Sequence, residues 1–170
     1  MTSTYESPNP KAFKIYAKAT GHYVNSLLAS HEAKSNGFDE GLLLDMNGYV
    51  AEGPGANVFF EKDGTLYTPA GGNILTGITR ATVLELCKEM NIPVVEKQLG
   101  YEDLKNADAA FFCGTAAEVI GWSSIDDTDF PLAWKESVGR KIQLAYADLV
   151  REKANTKEKE LNTADLTAIS

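Results

Sequence analysis

At 170 residues, with 44% hydrophobic and 24% charged residues, the chain has the size of one globular domain and can bury roughly 70% of its unfolded surface. A formal net charge of −8 argues against a nucleic-acid partner, which draws on clustered Lys and Arg. No run of about 18 apolar residues predicts a membrane span, and the opening residues 1–8 lack the basic and apolar regions of a signal peptide.

Taken in chain order, residues 1–14 hold Pro8, Pro10 and small polar side chains and read as an irregular arm. From His22 to Lys34 the apolar positions Val24, Leu27, Leu28 and Ala33 fall near helical spacing, with Gly37 as a stop. The run Gly41–Asp45 has the length of a buried strand, Asn47-Gly48 is a hairpin signal, and Tyr49–Glu52 returns beside it. A second hairpin runs from Asn57 to Glu61, turns at Asp63-Gly64 and continues through Thr65–Thr68. A helix is expected to start near Thr79, with Thr79 as its N-cap, and to reach Met90. Pro93–Lys97 reads as a strand and Tyr101–Asn106 as one or two helical turns. Ala109–Cys113 and Glu118–Trp122 read as strands around the Gly114-Thr115 turn. Residues 126–129 form a solvated acidic loop, Val138–Arg151 an amphipathic helix, and residues 154–170 a disordered tail. The ordered domain therefore spans 15–153. Its irregular mixture of helices and paired strands fits an α/β or α+β fold rather than a βαβ series.

Four segments could carry chemistry. Lys18 stands among small residues just before a helix; a lysine that forms a Schiff base must be neutral part of the time, and desolvation or a nearby cation lowers its pKa enough. Taken alone, it reads as a surface lysine. Glu52 ends a strand and is followed by Gly53 and Gly55, where backbone can approach a ligand closely. A carboxylate there could keep a ring nitrogen protonated, or could simply face water at a hairpin end. Gly77-Ile78-Thr79 opens a helix whose free amides favour an anion. Gly114-Thr115-Ala116-Ala117 offers a second turn with a hydroxyl and amides. Each of these two segments, considered singly, is an ordinary cap or turn. Tyr23 could donate to a phenolic oxygen or be a half-buried helix residue, and Arg80 could bind an anion or make a surface ion pair. His22 and His31 lack metal-ligand spacing, Ser26, Ser123 and Ser124 lack an elbow motif, and no metal site is expected. Cys87 and Cys113 read as buried thiols of a reducing, cytoplasmic setting.

Together these segments resemble the fold type IV pyridoxal-phosphate enzymes, and most closely the branched-chain amino-acid aminotransferases. The likeness runs from about Ala17 to about Lys153. The resemblance implies a mixed-sheet pseudo-barrel with flanking helices and pyridoxal 5′-phosphate as cofactor. It assigns Lys18 as Schiff-base and catalytic lysine, Tyr23 as partner of the cofactor oxygen and Glu52 as partner of the pyridine nitrogen. Ile78, Thr79 and Thr115 match phosphate-binding positions, while Thr115, Ala116 and Ala117 match the turn that receives a substrate carboxylate. The implied reaction transfers the amine of Leu, Ile or Val to 2-oxoglutarate, in a homodimer. D-amino-acid aminotransferases and aminodeoxychorismate lyases share the scaffold. The family's smaller N-terminal domain, with its phosphate-binding arginine, is expected to be absent from this sequence. A chain poorly active alone, or a non-catalytic remnant that binds a partner, are the resulting expectations.

Overall fold

The computed structural model describes the backbone of residues 1–167 and the side chains of residues 1–21 and 23–152. Strand β1 (Thr2–Glu6) leads through a 3-10 turn at Ile15–Ala17 into helix α1 (His22–Ser35). Strands β2 (Leu42–Leu44), β3 (Val50–Gly53), β4 (Ala56–Lys62) and β5 (Thr65–Pro69) follow as hairpins. Helix α2 (Ile78–Glu89), β6 (Val94–Lys97) and the short α3 (Tyr101–Lys105) come next. Strands β7 (Ala109–Gly114), β8 (Glu118–Trp122), β9 (Ser124–Ile125) and β10 (Thr128–Asp129) precede helix α4 (Val138–Thr167).

Eight strands make one mixed sheet in the order β1-β2-β3-β4-β5-β6, with β7 pairing both β4 and β8. β1/β2 and β5/β6 are parallel and the other ladders antiparallel. β4 is the centre: β7 lies along one side of it, while β3 and then β5 share the other. The sheet curls. The Val50 amide donates to the Leu99 carbonyl at 2.8 Å and Tyr49 bridges Gly100, so the chain after β6 returns to the start of β3. This is the mixed-sheet pseudo-barrel that the family resemblance implied.

Alternation along the strands separates two cores. Val58, Phe60 and Phe112 pack inward with Leu42, Val50, Leu99 and Leu104. Phe59, Phe111 and Cys113 face outward under α2 and α4, against Val83, Leu86, Cys87 and Ile142. The Phe59 and Phe111 rings lie parallel, 5.1 Å apart. Full burial of such a ring stabilises by roughly 2–3 kcal/mol before cavity costs are counted.

Four expectations need correction. The arm at 1–14 is not all irregular, because Thr2, Thr4 and Tyr5 suit an extended chain, and β1 pairs with β2 through Thr2 opposite Leu42 and Glu6 opposite Leu44. α2 begins one residue before Thr79, with Gly77 at the N-cap and no side-chain cap. The acidic loop is not simply solvated: Asp126 accepts from the Thr2 amide (2.7 Å), the Thr2 hydroxyl (2.8 Å) and the Tyr101 hydroxyl. Finally, α4 continues to Thr167 instead of ending near Lys153, since residues 152–167 contain no Gly or Pro and are rich in Ala, Glu, Lys and Leu. Residues 168–170 lie outside the described residues.

Candidate functional site

The curled end of the sheet, the 3-10 turn and the start of α2 enclose a cavity of about 470 Å³. That volume is in the range of small-molecule and cofactor pockets. Lys18, Tyr23, Glu52, Ile78, Thr79, Thr115 and Ala116 all line it, although they come from five separate segments. Ala117 and Arg80 do not line it. Arg80, in the first turn of α2, is buried and donates to the Pro69 carbonyl (2.9 Å) and the Glu96 carboxylate (2.7 Å), tying α2 to β5 and β6.

Each wall has a local cause. Lys18 caps the 3-10 turn in the left-handed region, φ 49° and ψ 39°, which reverses the chain just ahead of α1 and leaves the side chain exposed. Glu52 sits near the end of β3, its carboxyl partly buried. Burial raises its pKa to about 7, against the opposing hydrogen bond from the Leu75 amide (3.1 Å). Near neutral pH this group can therefore both hold and release a proton.

Gly77 ends an extended connection and leaves the first-turn amides of α2 without a side-chain cap. Thr79 is buried at that turn, whereas Ile78 is 85% exposed. Thr115 and Ala116 lie on the exposed turn between β7 and β8. That turn is held close to β4: a Cβ added at Gly114 would lie 2.9 Å from the Gly55 carbonyl oxygen. Cys113, at the cavity floor, is a free buried thiol whose pKa desolvation pushes up to about 12, so it is no nucleophile.

Three contributors were not singled out from the sequence. Asn57 and the Leu75 backbone form the hydrogen-bonded support of Glu52, and Tyr16 makes part of the rim. Asn57 could have been suspected from its place two residues past Gly55. The Leu75 contact arises only in the folded chain. Among the described residues no group of three His, Cys, Asp or Glu side chains is placed to hold a metal ion, and no helix is long and apolar enough to cross a membrane.

The donor set suits a flat, phosphorylated, aldehyde-bearing heterocycle. A primary amine, a carboxyl titrating near neutrality, an uncapped helix N-terminus and a hydroxyl-bearing turn all face one cavity. The Amino-transferase class IV family model matches residues 1–125. The chain is 43% identical over 152 residues to a branched-chain-amino-acid aminotransferase of Pseudomonas aeruginosa, covering 89% of this chain and 50% of the relative. It is 41% identical over 150 residues to the protein of that name from Escherichia coli, covering 88% of this chain and 48% of the relative. The branched-chain amino acid aminotransferase of Thermobaculum terrenum, solved in PLP-form, superimposes with a TM-score of 0.85 at 37% identity. That match covers 88% of this chain and 49% of the solved one. The chain spans about half the length of the curated relatives it matches.

Proposed function

The chain belongs to the class IV aminotransferase family, and on that premise we propose that it forms the pyridoxal-phosphate-binding part of an enzyme that transaminates branched-chain L-amino acids with 2-oxoglutarate. The observation that carries this reading is the convergence of Lys18, Glu52, the α2 N-terminus and the Thr115 turn on one cavity. The names of the similar proteins support the substrate class.

Pyridoxal 5′-phosphate, when bound, supplies an electron sink for the bonds at an amino acid's Cα. The chain's residues do the rest. Lys18 would provide the amine that holds the cofactor, and its Nζ would take the proton from the substrate Cα. Glu52 would accept a hydrogen bond from the protonated ring nitrogen and so hold that proton in place. The Ile78 and Thr79 amides, with the Thr79 and Thr115 hydroxyls, would hold the phosphate. The Tyr23 hydroxyl would donate to the phenolic oxygen. The backbone amides of Thr115 and Ala116, which line the cavity while Ala117 does not, would receive the substrate carboxylate.

Among the described residues no arginine lines the cavity, so this chain by itself leaves the phosphate without a guanidinium and is poorly active alone. Tyr16 is 70% exposed at the rim, and Val24, Leu27 and Leu28 are exposed on α1. These surfaces support association with a second copy or with a segment that completes the pocket. The two free buried cysteines fit a reducing, cytoplasmic setting. The reading is tested by adding pyridoxal phosphate to the purified chain, removing the excess and recording the visible spectrum beside Lys18→Ala. A band retained by the wild type and lost in the variant is the expected result. No band in either protein would overturn it.

A further inference from the structure

We propose that Asn57 is a positioning residue that locks the Glu52 carboxyl and the N-terminus of α2 into one fixed relation, an inference that rests on the cofactor site described above. Asn57 stands on β4 directly opposite Glu52 on β3 and opposite Cys113 on β7, and it is only 5% exposed. Its Nδ2 donates one hydrogen to the Leu75 carbonyl at 2.8 Å and directs the other toward Glu52 Oε2 at 3.4 Å. The Leu75 carbonyl can only accept, which fixes which end of the amide faces it. Leu75 then donates its own amide to the same Glu52 oxygen at 3.1 Å. Glu52, Asn57 and Leu75 thus close a ring of hydrogen bonds.

The other end of the amide meets Gly77. A Cβ added at Gly77 would overlap Asn57 Oδ1, while its distance to the Arg80 Cβ would be an ordinary 3.7 Å. The φ of Gly77 is −76°, a conformation open to any residue, so glycine is needed there for space alone. Gly77 is also the N-cap of α2, immediately before Ile78 and Thr79. One buried amide therefore fixes, by two hydrogen bonds and one steric stop, both the carboxyl proposed for the ring nitrogen and the amides proposed for the phosphate. The titratable groups lining the same cavity as Glu52 are Lys18, Tyr16, Tyr23 and Cys113.

The test combines a titration with a mutant cycle. Glu52 is titrated by carbon NMR of its side-chain carboxyl, assigned with Glu52→Gln, in the wild type and in Asn57→Ala. Loss of the amide removes a donor that favours the ionised form, so the midpoint should rise by about half a unit to one unit. Retention of pyridoxal phosphate by Asn57→Ala should weaken about tenfold or more. Gly77→Ala should cause a comparable loss in the wild type and add less than about twofold to Asn57→Ala, where the new Cβ has room. An unmoved Glu52 midpoint, or a Gly77→Ala effect that simply adds to that of Asn57→Ala, would overturn the assignment. Should the wild type itself retain no pyridoxal phosphate, the cofactor reading fails. The titration, and the same cycle read by thermal unfolding, would still decide the wiring of Asn57.

Discussion

The folded pKa of Glu52, about 7, lies above the ordinary glutamate value of 4.5, because burial penalises the charged form. Below about pH 4.5 both folded and unfolded chains hold this proton, and the group costs nothing. Between 4.5 and 7 the unfolded chain loses the proton first, so the stability contributed by Glu52 declines as pH rises through that window. The full decline is at most roughly 3–4 kcal/mol. Glu52→Gln should remove it: denaturation midpoints of wild type and variant, compared at pH 4.5 and pH 8, should diverge in favour of the variant at the higher pH. A pH-independent difference would contradict the burial account. The strand end at Glu52, Gly53 and Gly55 was legible in the sequence, and it lines the cavity. The part Asn57 plays was not, because its partners Leu75 and Gly77 are eighteen or more residues away and meet it only after the sheet has curled.

The elements are held by polar groups reaching across the chain. Ser137 caps α4 through its hydroxyl, which accepts the Arg140 amide at 3.0 Å, and Glu61 on β4 accepts the Val138 amide at 2.6 Å. The long terminal helix is therefore fastened to the central strand at its positive end. Ser137→Ala should cost about 1 kcal/mol. Glu61→Ala should cost about 1–3 kcal/mol, because it leaves buried helix amides unpaired. Equilibrium urea unfolding measures both; a loss at Glu61 smaller than that at Ser137 would show that the cross-chain cap is idle. The hairpins were readable from Asn47-Gly48 and Asp63-Gly64, whose positive φ at Gly48, Asp63 and Gly64 these turns require. β1 was hidden because the prolines after it drew attention to the irregular part of the arm. Its hold on the fold is long-range: the Ser3 hydroxyl and Thr4 amide donate to Glu32 on α1, and Thr2 donates to Asp126.

At the scale of the molecule, a curled mixed sheet separates an inner core from a helix-covered outer one, and the cavity opens where β3, β4 and β7 meet the start of α2. The architecture explains why residues from Lys18 to Thr115 line one cavity. β4 pairs with both β3 and β7, so Glu52 and the Thr115 turn lie on either side of one strand, and Asn57 of that strand reaches the loop that starts α2. Binding of pyridoxal phosphate in this cavity through Lys18 is checked by incubating the chain with pyridoxal phosphate, fixing any imine with borohydride and mapping the modified lysine by peptide mass spectrometry. The label is expected on Lys18 above all other lysines. A label spread over surface lysines, or concentrated on another residue, would contradict it.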